Sequence, residues 1–469
     1  MTRPHHRRGT RPATLLLLLT TLIGACTGSP KDNGQPTGAS PTPDPPGEIV
    51  VASGRDVTGK GGIRQQLIEE WNQQQQNKKS NYHARLVELP GSADRQRSQL
   101  LGALQSGSAE YDVVNLDVTW VPEFAEAGLI RELPKKGLLD DDVIPSVAAT
   151  ARWDDKLYAV PFNSDVGLLY YRRDYLQRAG VTTTDVSTWP AVQGLITTLN
   201  DNRPKLPAEY RKGWTTQLDP SYEGLTVNGI EAFASATEKF ALTNDTGRYV
   251  GTVAQLEAGL AELRTRTQAP YILGEATQSD EGDSLTDFAA GRTAFLRHWP
   301  YAYRTLHQSF SDQHLGVAPL PGKAVLGGQN LAVTKTSNRS NAARDLIEFL
   351  TGKGSERCLL DAGFAATRQS AYEQDSVTCP LNQPSTPATP SAETTDRMPR
   401  DPAGRPAYAR TTLLPALKSA THRPRTPLYG TFTQTFTAEL SKLFTPTPPS
   451  NPALATSLHK SLKNSLPHP

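Results

Sequence analysis

Six residues in four short segments have the chemistry to hold a polyhydroxylated molecule: Asp117 and Trp120 in NLDVTW, Asn163 and Asp165 in PFNSD, Glu223 in SYEGL, and Trp299 in RHWPY. Ionised carboxylates accept hydrogen bonds from hydroxyl groups, an amide both donates and accepts, and an indole offers a flat apolar face to C–H groups. To surround a ligand, such groups must come from both walls of a cleft. Each has a plainer structural use. Asp117 could cap the helix begun by Pro122, Asp165 could serve a turn, Glu223 could be a solvated helix-terminal charge, and Trp299 could pack in a core.

The spacings that mark common enzymes are missing. The chain has no H-E-x-x-H, C-x-x-C, G-x-S-x-G or acidic calcium loop. Two of its nine histidines, His5 and His6, lie at the extreme N-terminus, and the others never pair at metal-ligand spacing. Gly54, four residues and then Gly59-Lys60 imitate a phosphate-binding loop, but Gly61 stands where serine or threonine must hold magnesium. The stretch from Gly54 to Gly62 therefore reads as a rim beside a cleft, with Arg55 and Lys60 toward solvent. No catalytic residue, metal or cofactor is expected. The enzyme alternative is an exported glycoside hydrolase, with Asp117 and Asp165 as its carboxyl pair, which would have to stand about 5–9.5 Å apart.

Alternating elements must position these groups. Ile49 to Ala52 reads as a strand, and Ile63, Leu67, Ile68 and Trp71 recur at helical spacing, which assigns Trp71 to the core. Ser92 opens a helix with Leu100, Leu101 and Leu104 on one face, Tyr111 to Leu116 fits a buried strand, and Pro122 starts the next helix. This β, α, β, α, β, α order predicts a largely parallel sheet covered by helices. Two apolar runs flank Pro161 in LYAVPFNSDVGLLYYRRDYLQRAG, which reads as a crossover between domains, and LGGQNLAVTK from Leu326 is a second. Helices are expected from Pro190, over Ala342 to Leu350 and over Glu356 to Leu360. A long surface loop is expected from Pro380 to Pro406, and Trp153 and Trp189 are expected at the surface or a domain edge.

The N-terminus sets the compartment. Arg3, Arg7, Arg8 and Arg11 precede an apolar run from Ala13 to Ile23 that is too short to span a bilayer, which reads as an export signal over residues 1–25. It ends in Leu22-Ile23-Gly24-Ala25-Cys26, resembling the lipobox of bacterial lipoproteins, which would make Cys26 a lipidated first residue. Losing those four arginines moves the formal charge from +2 to −2, and with the remaining Lys and Arg scattered, a nucleic-acid partner is set aside. Residues 26–47, with six prolines and four glycines between Thr27 and Gly47, cannot bury a core and are expected to be a disordered tether reaching about 25–60 Å. The remaining roughly 420 residues exceed a single compact core and imply two domains. Cys358 and Cys379 are left as a pair in an oxidising compartment; the readings are a disulfide or two free buried thiols.

The segments DVVNLDVTWVPEFAEAGLI, KLYAVPFNSDVGLLYYRRDYL, YEGL, FAAGRTAFLRHWPYAYR, GVAPLPG with LGGQNLAVTK, and RPRTPLY resemble, in this order, the solute-binding proteins of ABC sugar importers, in particular the trehalose/maltose-binding branch. The resemblance implies an α/β fold, a two-lobed periplasmic-binding-protein-like clamp of type II. Each lobe would be a mixed sheet flanked by helices, and hinge crossovers would join them. Lobe one would take residues 48–161 and 331–367, lobe two residues 162–330 and 368–469. It implies ligand contacts from Asp117, Asn163 and Asp165, stacking on Trp299, backbone contacts at Gly327 and Gly328, and a contact from Arg423, with Arg97 and Glu223 approaching the ligand. Gln329 is also expected to contact the ligand, though an archaeal member of that branch carries tryptophan there, so this chain has one stacking platform fewer. The implied protein is a lipid-anchored monomer outside the cytoplasm that captures an α-linked gluco-disaccharide, trehalose or a maltose-like sugar, for an ABC permease. A sugar-sensing lipoprotein differs from it only in its partner.

Overall fold

The computed structural model describes residues 44–55, 62–134, 137–382 and 396–468. The export signal, Cys26, Lys60 and most of the tether fall outside them. Eleven strands are described: β1 Gly47–Gly54, β2 Tyr82–Leu89, β3 Val113–Asp117, β4 Arg152–Trp153, β5 Lys156–Leu157, β6 Val160–Val166, β7 Leu168–Arg172, β8 Lys212–Thr215, β9 Thr293–His298, β10 Leu315–Pro319 and β11 Leu326–Val333. One sheet has the order β2-β1-β3-β11-β6, and a second has β10-β7-β9-β8. Both are mixed. In the first, β1 runs parallel to β2 and β3 while β11 is antiparallel to β3 and β6; in the second, only the β8–β9 pair is parallel.

Each sheet has its own apolar core. Ile63, Leu67, Ile68 and Trp71 of the helix Ile63–Asn77 pack on the five-stranded sheet with Leu100, Leu104 and Phe124. Leu168, Tyr170, Phe295, Phe233 and Phe432 belong to the other core. β6 passes from one to the other, with Val160 and Phe162 in the first core and Val166 in the second, and β11 does the same with Leu331 and Leu326. The stretch around Pro161 and the LGGQNLAVTK segment are thus the strands that join the two halves. They pair with each other antiparallel, Gly327 opposite Asp165 and Gln329 opposite Asn163, with an irregularity between Gln329 and Asn330.

Several expectations change. Asp44 lies within the span read as tether, yet its carboxylate accepts from the amides of Asn341 (2.7 Å) and Ala342 (2.8 Å), at the first turn of the helix Ser340–Leu350. That helix has no capping side chain of its own, so a distant acid supplies what its own residues do not. Neither Trp153 nor Trp189 is at the surface: Trp153 is buried in the first core next to Gly247 of the other half, at an edge between them, and Trp189 meets Trp214 at 5.0 Å and carries the Arg266 guanidinium over its ring. The described part of Pro380 to Pro406 is not a plain surface loop either. Met398 and Arg405 are buried, the guanidinium of Arg405 being satisfied by Asp401, Asp375 and the Tyr372 carbonyl. Cys358 and Cys379 form a disulfide, their Cα atoms 4.6 Å apart, in the core of the first sheet. Among the described residues no helix is long and apolar enough to cross a membrane.

Candidate functional site

A cleft of about 830 Å³ opens where β3, β6 and β11 end and the second half begins. Strand register brings its groups together. Gln329 of β11 pairs with Asp117 on one side and Asn163 on the other, and Gly327 faces Asp165. Gly328 has φ +111°, and a Cβ there would lie 2.4 Å from the Asn163 carbonyl oxygen. Only glycine tolerates both the backbone and the contact, so the paired glycines let the crossing strands approach closely. Gly327 likewise leaves room beside Trp299, where a Cβ would come within 3.4 Å of the indole.

The cleft's central feature is an ion triad. Arg423, 5% exposed, directs Nη2 to Asp117 at 3.0 Å and Nη1 to Glu223. Asp117 ends β3 and also accepts from the Thr119 amide (2.9 Å) and hydroxyl (2.7 Å), so its turn is fixed locally and no helix is capped by it. Glu223 immediately precedes the helix Gly224–Ala236 and accepts from the Tyr429 hydroxyl as well. Burial works to lower the Arg423 pKa, but Asp117 and Glu223 outweigh it and hold the guanidinium well above its ordinary range. Burial raises the Glu223 carboxyl, against the pull of Arg423. Asp117 thus couples the end of the five-stranded sheet to two groups from the other half.

Trp299 follows β9, its carbonyl held by the Tyr170 hydroxyl at 3.0 Å and its Nε1 donating to Glu281 at 3.2 Å. The Arg297 guanidinium, paired with Glu231 at 2.6 Å, stacks against the ring at 3.9 Å from its centroid. Glu281 opens the helix Glu281–Ala289 behind an Asp280–Asp283 capping box. Burial raises the Glu281 carboxyl, opposed by its hydrogen bonds. The Asp165 carboxylate has no hydrogen bond or ion pair among the described residues; burial pushes it up to about 7, with Asp117 adding to the rise and Arg64, Arg297 and Arg423 opposing it.

Seven of the ten expected binding residues line this cleft: Asp117, Asp165, Glu223, Trp299, Gly327, Gly328 and Arg423. Asn163 and Gln329 do not. Both accept from Nη2 of Arg64, at 3.2 and 2.9 Å, and Gln329 also accepts from Asn115 at 2.8 Å, in a buried polar cluster behind the strand ends. Arg97 is outside it as well. It is held by Glu123, Nε to Oε2 at 2.7 Å, and lines an adjoining pocket of about 170 Å³ that shares Asp94, Tyr222 and Glu223 with the main cleft. Trp120 is core. The cleft gains residues that the motifs did not indicate: Asp94 and Arg95 in the first turn of Ala93–Gln105, Asp219, Tyr222, Asp280 and Glu281. For Asp94, Asp280 and Glu281 the signal was positional, since they stand at the N-termini of helices, where the backbone dipole favours negative charge. Burial raises both the Asp94 carboxyl and the Tyr222 hydroxyl.

Arginine donors and carboxylate acceptors on two walls, with a part-buried indole beside them, suit a small ligand rich in hydroxyl groups. Among the described residues no group of histidine, cysteine or acidic side chains is placed to hold a metal ion. The chain is 27% identical over 313 residues to a probable ABC transporter-binding protein of Deinococcus radiodurans, covering 64% of this chain and 72% of that one. In fold it is similar to the maltose-bound MalE3 of T. maritima, with a TM-score of 0.71 at 23% identity over 89% of this chain and all of that chain. It is similar too to the GacH receptor of Streptomyces glaucescens, with a TM-score of 0.69 at 17% identity over 90% of this chain and all of that one. The model of the bacterial extracellular solute-binding proteins matches residues 56–357, and the chain belongs to that family.

Proposed function

We propose that this protein captures an α-linked gluco-disaccharide, trehalose or a maltose-like sugar, and delivers it to an ABC permease. The observation that carries the reading is the triad of Asp117, Arg423 and Glu223, which gathers acceptors and donors from both halves at one cleft with Trp299 beside them. Sugar hydroxyls bridge Asp117, Glu223 and Arg423, and a ring lies against the indole. Asp165 and the backbone at Gly327 and Gly328 complete the site, while Asn163 and Gln329 act from behind by fixing the strand ends. The names of the relatives, a probable ABC transporter-binding protein and a maltose-bound MalE3, support the same class.

In this reading the lobes are residues 48–161 with 331–367, and 162–330 with 368–469, closing on the ligand about the crossing strands. Residues 1–25 direct export, Cys26 carries lipid on the outer face of the cytoplasmic membrane, and the protein acts as a monomer. Charge-assisted hydrogen bonds in a closed cleft, with one stacking surface, give an affinity of about micromolar. Titration calorimetry with trehalose, maltose and longer maltodextrins tests it. One-to-one binding of at least one sugar is expected, and no heat from any of them would refute the reading.

A further inference from the structure

The cleft holds more negative charge than hydroxyl recognition requires. Seven carboxylates line it against two arginines, Arg95 and Arg423, and Arg423 is already engaged by Asp117 and Glu223. Helix N-termini at Ala93 and Glu281 contribute about half a positive charge each, which leaves the walls acidic. Two of these acids, Glu281 and Asp165, flank Trp299, and the Arg297 guanidinium stacked on that ring is already paired with Glu231. Glu281 holds the Nε1 end of the indole, and Asp165 stands at the other end, across Gly327, where an added Cβ would lie 3.1 Å from Cβ of Asp165 and 3.4 Å from Cζ3 of Trp299. The carboxylates of Asp94 and Asp165 lack any hydrogen-bond partner within the described residues, and of the two only Asp165, half-buried, stands beside the indole. The carboxylates are strung along the walls rather than gathered as a metal site, so the matching charge belongs to an extended organic molecule and not to a bare ion.

We infer that the gluco-disaccharide preferred by this cleft carries a protonated amine, seated between Asp165 and the Trp299 ring, while its hydroxyls meet Asp117, Glu223 and Arg423. The inference rests on the proposed sugar-receptor reading and narrows it to amino sugars. An ammonium there gives Asp165 the partner it lacks and adds a charge-assisted contact at an aromatic face. Burial, together with the charge of Asp117 on β3, holds Asp165 up to about 7, against Arg64 from the helix after β1, Arg297 on β9 and Arg423. An arriving cation drives that carboxyl to ionise, so near neutral pH the amine binds with release of a proton and a neutral sugar does not.

The test is calorimetry on the intact protein with trehalose, maltose, the 2-amino and 6-amino derivatives of each, and the corresponding N-acetyl compounds. Titrations at pH 7 in two buffers of different ionisation enthalpy read the proton release. At least one amine is expected to bind about tenfold tighter than its parent sugar. That preference should shrink several-fold between 20 mM and 500 mM salt, disappear on N-acetylation, and narrow to under about threefold in Asp165→Asn, which removes the charge at constant shape. Parent sugars binding as tightly as all four amines would overturn the inference and leave the receptor reading standing. No heat from any sugar, charged or neutral, would overturn both.

Discussion

Asp165→Asn should make the protein more stable and a poorer receptor. The Asp165 carboxyl rises from its ordinary 3.8 to about 7, because burial and the nearby Asp117 carboxylate cost more than Arg64, Arg297 and Arg423 return. A raised carboxyl binds more protons in the folded chain than in the unfolded one, so stability falls as pH increases from about 4 to about 7 and stays low above that. The full shift has a ceiling of about 4 kcal/mol above pH 7. Partial exposure to the solvent of the cleft reduces it to about 1–3 kcal/mol. Asparagine keeps the shape and removes the charge, so the variant should gain that amount at pH 8 and show little difference from wild type at pH 4. Denaturant unfolding at the two pH values measures it, and sugar affinity should fall in the same variant. A stability difference that is equal at both pH values, or reversed in sign, would refute the argument that an unsatisfied buried charge is held at this position.

Gly328→Ala places a side chain at φ +111° and within 2.4 Å of a backbone oxygen; it should cost about 2–4 kcal/mol and abolish sugar binding, read by thermal unfolding and calorimetry. Arg423→Gln leaves Glu223 and Asp117 without their cation and should cost about 3–5 kcal/mol at neutral pH, with part of the loss recovered in the double variant with Glu223→Gln. Trp299→Ala should weaken sugar binding about 10–100-fold, measurable by titration, since both the stacking face and the partner of Arg297 are removed. Reduction of Cys358–Cys379, which closes a loop of sequence separation 21, should lower stability by about 3 kcal/mol without changing affinity, because it lies in the core of the first sheet and not at the cleft.

Local patterns made much of this architecture readable. Ile63, Leu67, Ile68 and Trp71 fall on one helical face, and the structure buries all four. The segments around Pro161 and after Leu326 each carry apolar residues on both sides of a polar patch, and the two crossing strands are buried along almost their whole length, which is why that pattern located them. What escaped was set by partners far away in sequence. Asn163 and Gln329 sit within readable segments, but their acceptors are claimed by Arg64, 99 and 265 residues distant, and nothing local marks that arginine as buried. Trp189 precedes a proline at the start of a helix, a position that looks peripheral until Trp214 and Arg266 cover it. Arg405 lies in a stretch poor in apolar residues, which hid the Asp375, Asp401 and Tyr372 contacts that allow it to be buried. Asp94, Asp280 and Glu281 carried a legible signal, helix N-terminal acids, but such acids are common and only the fold directs these three to one cleft.

The triad also constrains which chemistry a ligand must bring. Carboxylates accept and cannot donate, and both Nη groups of Arg423 are committed to Asp117 and Glu223, so the central wall offers mainly acceptor capacity. A ligand dominated by acceptors, such as a carboxylate or a phosphate, would set like charges against Asp117 and Glu223 and would have to draw Arg423 out of two ion pairs. A molecule that presents many O–H or N–H donors meets no such obstacle, since each carboxylate keeps lone pairs free after bonding the arginine. Because Asp117 belongs to one half while Glu223 and Arg423 belong to the other, donors that reach all three also link the halves. Under the proposed reading, the residues that select the ligand are also the ones that join the two halves at the cleft.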